Sequence, residues 1–172
     1  MSVEVDWQLF PKSLKAPSFI LATVSAFNKV APAITSDRGG PQTSNEVLAI
    51  VRPELEALGY NVERGKLGSE KIHVPVLYGL NGKTEKAFEA DAYWAENQIV
   101  LEVEAGRAVT NYQFLKDLFQ ACVMQDVEWL AVAVRKTYRE SKDFQKVVQF
   151  FDTLYASNRL TLPLRGCLIV GY

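Results

Sequence analysis

The order of hydrophobic patterns along the chain predicts an α/β protein: a sandwich on a mixed central sheet, elements in the order αβββαβαβ, preceded by a helical extension. Three observations carry this. Two alternating segments, 86–94 (KAFEADAYW) and 99–104 (IVLEVE), flank a Glu96-Asn97 turn and predict an antiparallel hairpin. Beyond them, apolar runs alternate with amphipathic stretches, the pattern of strands joined by helical crossovers. Finally, 172 residues with 48% hydrophobic and 23% charged side chains suit one globular unit. A chain of that length buries roughly two-thirds of its unfolded surface.

Residues 18–30 place Phe19, Ile20, Val24, Phe27 and Val30 near helical spacing between Pro17 and Pro32. The stretch 35–44 (TSDRGGPQTS) is the most loop-like of the chain. Residues 1–43 are therefore expected to form an extension, and 44–172 the core. The core opens with a helix over 44–58, apolar at Val47, Leu48, Val51, Leu55 and Leu58, with Pro53 predicting a kink or a split. Residues 71–78 alternate as a strand that Pro75 assigns to an edge or a bulge. The hairpin follows, and then a helix over 110–124. A buried strand over 127–134, a helix over 142–155 and a last strand over 167–170 complete the order.

Several classes are excluded. Cys122 and Cys167 show no paired spacing, so a disulfide framework or zinc site is not expected. No apolar run reaches the roughly 18 residues of a membrane span, and the acidic start lacks a signal peptide's basic region. A cytoplasmic protein is the expectation. Glycine-rich nucleotide loops are missing, hence no nucleotide cofactor, and a lone His73 cannot complete a Ser/His/Asp triad. The net charge is −1, but it is unevenly distributed. Five basic against two acidic residues give +3 in both 64–86 and 135–146, while 87–104 carries five acids and no base. An acidic centre between basic flanks can hold a cation facing a polyanion.

Side chains two apart on a strand share a face, so Glu102 and Glu104 point together, and a turn centred on 96–97 sets Asp91 opposite Glu102. Opposed Cβ atoms lie roughly 5 Å apart. Carboxylates that close repel unless neutralised, and all-oxygen ligation suits magnesium or manganese.

The run Glu89-Ala90-Asp91-Ala92-Tyr93, then Ile99-Val100-Leu101-Glu102-Val103-Glu104, in this element order, resembles the PD-(D/E)xK, or restriction-endonuclease-like, nuclease superfamily. The resemblance covers 44 to about 134 well and the remainder by topology. It implies a restriction-endonuclease-like sandwich and a metal-dependent DNA endonuclease, with magnesium or manganese held by Asp91, Glu102, the Val103 carbonyl and Glu104. It also implies an acid on the first helix, best matched by Glu46, with Glu54 or Glu56 as alternatives. Glu104 occupies the position of the superfamily's usual lysine, as in BamHI-like enzymes. Three consequences stay open: Glu104 serves as general base, Lys116 supplies the missing charge, or catalysis is lost and the domain only binds nucleic acid or a protein. Arg107, Asn111, Lys116, Arg135, Lys136 and Arg139 are the expected nucleic-acid contacts, and a homodimer cutting two strands is the expected assembly.

Overall fold

Strands buried on both faces carry apolar residues at nearly every position, and WLAVAV and GCLIVG do so here. In the computed structural model, which describes residues 3–36, 40, 43–106 and 108–172, they form the middle of a mixed six-stranded sheet. The elements are β1 (Asp6–Phe10), α1 (Ser18–Ile34), α2 (Ser44–Leu58), β2 (Asn61–Val62), β3 (Ile72–Tyr78), β4 (Thr84–Ala90), β5 (Ala92–Trp94), β6 (Ile99–Glu104), α3 (Gln113–Val123), β7 (Trp129–Val134), α4 (Asp143–Ser157) and β8 (Gly166–Gly171). The sheet order is β1-β8-β7-β6-β5-β2, with β6, β7 and β8 parallel and the outer pairings antiparallel.

Period two divides the core. Leu101, Val103, Ala131, Ala133, Leu168 and Val170 face α1 and α2. Val100, Leu130, Val132, Val134 and Ile169 face α3 and α4, where Phe114, Leu118, Val147 and Phe151 cover them. Glu102 and Glu104, in register with Val100, therefore point towards the α3 side.

Four expectations are corrected. Residues 1–43 do not form an appendage to the core: β1 is an edge strand on β8, and α1 buries Ile20, Val24, Phe27 and Ile34 in the main core. The 86–94 strand breaks at Asp91; β4 pairs with β3 in a separate two-stranded ribbon, and only β5 pairs with β6. Pro32 does not end its helix, and Pro53 does not split its own. Pro32 lies inside α1, and α2 runs unbroken through Pro53. Pro53 and Ala49 both lie on the exposed face of α2, so water can take the carbonyl bond that proline forfeits. Finally, α3 starts at Gln113 because Asn111 and Tyr112 adopt left-handed backbone, with φ of 65° and 52°. Among the described residues no helix is long and apolar enough to cross a membrane.

Candidate functional site

The break in the 86–94 segment places the first acid. The β5–β6 register pairs Ala92 with Leu101, so Asp91, one residue outside the ladder, lies opposite Glu102. Two backbone bonds hold it. The Val103 N–H donates to Asp91 Oδ2 at 2.7 Å, and the Glu63 N–H donates to the Asp91 carbonyl at 2.8 Å. Val103 thus contributes its amide to the site. Glu104 ends β6, where the buried Tyr172 hydroxyl donates to its backbone carbonyl at 3.0 Å.

A fourth acid enters from the covering helix. Asp117 occupies an inward position of α3 between Phe114 and Ala121, and its side chain is only 1% exposed. Neither carboxylate oxygen meets an N–H or hydroxyl donor; the polar group it faces is the carboxyl of Glu104, with which it can share a proton. Among the described residues the cation nearest Asp117 is Lys116, at 3.6 Å, whose side chain is otherwise exposed. A carboxylate this buried is costly to ionise and gains from a proton or a cation.

The electrostatics follow. Burial pushes Asp91 up to about 6, against the Val103 N–H, and the charges of Glu63 and Asp117 add to the rise. Burial pushes Glu104 up to about 8, with Asp117 and Asp91 raising it further. Glu102 stands well above the usual carboxylate range through burial and the charges of Asp91 and Asp117. Burial raises Asp117 as well, partly offset by Lys116 and by a hydrogen bond shared with Glu104. The four carboxyls resist simultaneous ionisation. Among the described residues, however, no group of three or more His, Cys, Asp or Glu side chains is already disposed as a metal cage.

Glu46 does not join this cluster. It closes a capping box at the start of α2, accepting from the Thr43 N–H at 2.9 Å while its own N–H donates to Thr43 Oγ1 at 3.3 Å. Glu54 pairs with Lys29 and Glu56 with Arg64. The acid that approaches Asp91 from that side is Glu63. Its carboxylate pairs with Lys71 at 2.6 Å, and Lys71, 20% exposed, also reaches Glu89 at 3.5 Å.

The expected nucleic-acid contacts divide. Arg107 lies outside the described residues. Asn111, Lys116 and Arg139 are exposed near the cluster's end of the sheet. Arg135 is buried, its guanidinium over the Tyr138 ring at 5.4 Å, so it supports the fold rather than offering a surface contact. Lys136 is tied to the N-terminal strand, pairing with Asp6 at 3.3 Å and donating to the Glu4 carbonyl at 2.8 Å. Sequence reasoning missed Asp117, although a charged residue in an apolar helical stripe is a readable signal. It also missed Glu63 and Lys71, which only the fold brings to Asp91. Comparison with known proteins finds no family model and no curated protein that matches the chain.

Proposed function

We propose that this chain is a divalent-metal-dependent phosphodiesterase of the restriction-endonuclease-like class, acting on DNA. The observation that supports it most is Asp117, a buried carboxylate that meets no N–H or hydroxyl donor and instead faces further acids, Glu104 closest and Asp91 and Glu102 beyond. An all-carboxylate oxygen set suits magnesium or manganese, and these four side chains are the ones that would hold it. An ion there would neutralise the cluster and make bound water more acidic.

The chain's own groups account for the rest. Asp91 is oriented by the Val103 amide, and the Glu63–Lys71 pair fixes its backbone from the other side. Burial and the neighbouring carboxylates hold Glu104 near 8 in the metal-free cluster, and an ion bound there would shift it towards the carboxylate, the form that accepts a proton from water. Lys116, exposed and next to Asp117, is a cation whose charge reaches Glu104, the place of the superfamily's lysine, and would face a phosphate.

Calorimetric titration with manganese, together with cleavage of single-stranded and duplex DNA, tests this. Wild type is expected to bind manganese and cleave, while Asp91→Asn and Asp117→Asn lose both. Wild-type protein that takes up no manganese and leaves DNA intact would overturn the proposal. A second reading, a domain that binds nucleic acid without cutting it, is favoured by Glu in place of lysine at 104 and by the lack of a ready metal cage among the described residues. DNA binding without cleavage, unaffected by Asp91→Asn, would select it.

A further inference from the structure

Two concave surfaces meet at Lys146. The first, about 380 Å³, is lined by Thr110, Tyr138, Arg139, Glu140, Ser141 and Lys146. It offers two cations and three hydroxyls against one acid, with the Ser141 hydroxyl already donating to Asp143 at 2.5 Å, the composition of an anion site. Lys146 Nζ donates to Ser141 Oγ at 2.8 Å, and Arg139 lies over the Tyr138 ring at 5.3 Å. The second, about 470 Å³, is aromatic, with Tyr112, Phe114 and Phe150 on its wall. Tyr112 is 62% exposed, its ring 6.4 Å from Phe114, which in turn meets Phe150 edge-on at 5.0 Å. An aromatic ring left that open gains little from folding and is free to stack.

Both surfaces are joined to the carboxylate-bearing elements by short stretches of chain. Gly106, two residues after Glu104, lies so close to Tyr138 that a Cβ there would sit 2.5 Å from its ring. Residues 110–112 lead directly into α3, which carries Lys116 and Asp117.

We propose that these joined surfaces bind one nucleotide unit of single-stranded nucleic acid, its phosphate at Arg139 and Lys146 and its base stacked on Tyr112, beside the carboxylate cluster. This rests on the proposed function and names its substrate as a strand with unpaired bases. Phosphate recognition alone would accept a duplex. The open aromatic wall discriminates, because base faces are accessible only when unstacked.

Fluorescence anisotropy with the full chain in EDTA tests it, using a labelled oligothymidylate of about 12 nucleotides and a duplex of equal length. Single strands should bind more tightly than the duplex. Tyr112→Ala should weaken single-strand binding about tenfold, and Tyr112→Phe should retain it. Lys146→Ala should reduce the salt dependence, the slope of log affinity against log salt, by about 0.7. Equal affinity of wild type and Tyr112→Ala, a duplex bound as tightly as the single strand, or no binding by wild type would each overturn the assignment. The assay contains no divalent ion and leaves Asp91 and Asp117 intact. Its failure therefore leaves manganese uptake standing, and failure of manganese uptake leaves this result standing.

Discussion

Replacing Asp117 by asparagine should stabilise the protein in EDTA at about pH 8 and change it little at about pH 5. Between a carboxyl's ordinary pKa and its raised folded value, the folded chain holds a proton that the unfolded chain has released. Stability must then fall as pH climbs through that interval. For Asp91 the interval runs from 3.8 to about 6, and for Glu104 from 4.5 to about 8. At about 1.36 kcal/mol per pKa unit, the rise from about pH 5 to 8 costs about 1.4 kcal/mol through Asp91. Glu104 would add at most about 4 kcal/mol, roughly halved because it still meets solvent, for a combined loss of about 3 kcal/mol. The Asp117→Asn substitution removes a charge that both groups feel, and about 1–2 kcal/mol of the loss should return. Urea unfolding followed by circular dichroism reads this directly, because about 3 kcal/mol moves the midpoint by roughly 1.5 M. A midpoint that is constant or rises between the two pH values refutes the reasoning, as does a pH-dependent loss unchanged in Asp117→Asn.

Two further predictions concern the frame of the site. Gly106→Ala combines a φ of 89° with a clash against Tyr138 and should cost about 1–3 kcal/mol in chemical denaturation; an unchanged midpoint would show that the ring moves freely aside. Lys71→Ala leaves Glu63 mostly buried without its main partner and should cost about 2–3 kcal/mol, whereas Lys71→Ala combined with Glu63→Gln should recover part of that, a coupling that a double-mutant cycle measures.

The acids of β6 were legible because period two is a local rule: Glu102 and Glu104 share a face in any strand, whatever it pairs with. Asp91 was legible for a weaker reason. Counting back from the turn gives the correct opposition even though the strand breaks at that residue, since the register is fixed by the three pairs nearest the turn. What was not legible is long-range. DWQLF becomes a strand only because β8, about 160 residues later, supplies its hydrogen bonds, and the β3–β4 ribbon leaves the main sheet through packing that no local pattern encodes.

Glu46 and Asp117 show how a local rule separates two acids on two helices. Thr43-Ser44-Asn45-Glu46 has the spacing of a capping box, a sufficient reason for a glutamate three residues into a helix. No such local reason exists for Asp117. It stands where Phe114, Leu118 and Ala121 turn inward, and among the described residues the cation nearest its carboxylate is Lys116, across 3.6 Å. A capped acid is explained by its helix. A buried acid that faces other acids instead of a donor needs an explanation from outside the helix, and under the proposed function the ligand held by the facing strand residues supplies it. Under that proposal the lysine expected on β6 has a physical counterpart: Glu104 brings a further negative charge to the site, and a compensating positive charge stands on α3 as Lys116, beside the acid it partly neutralises.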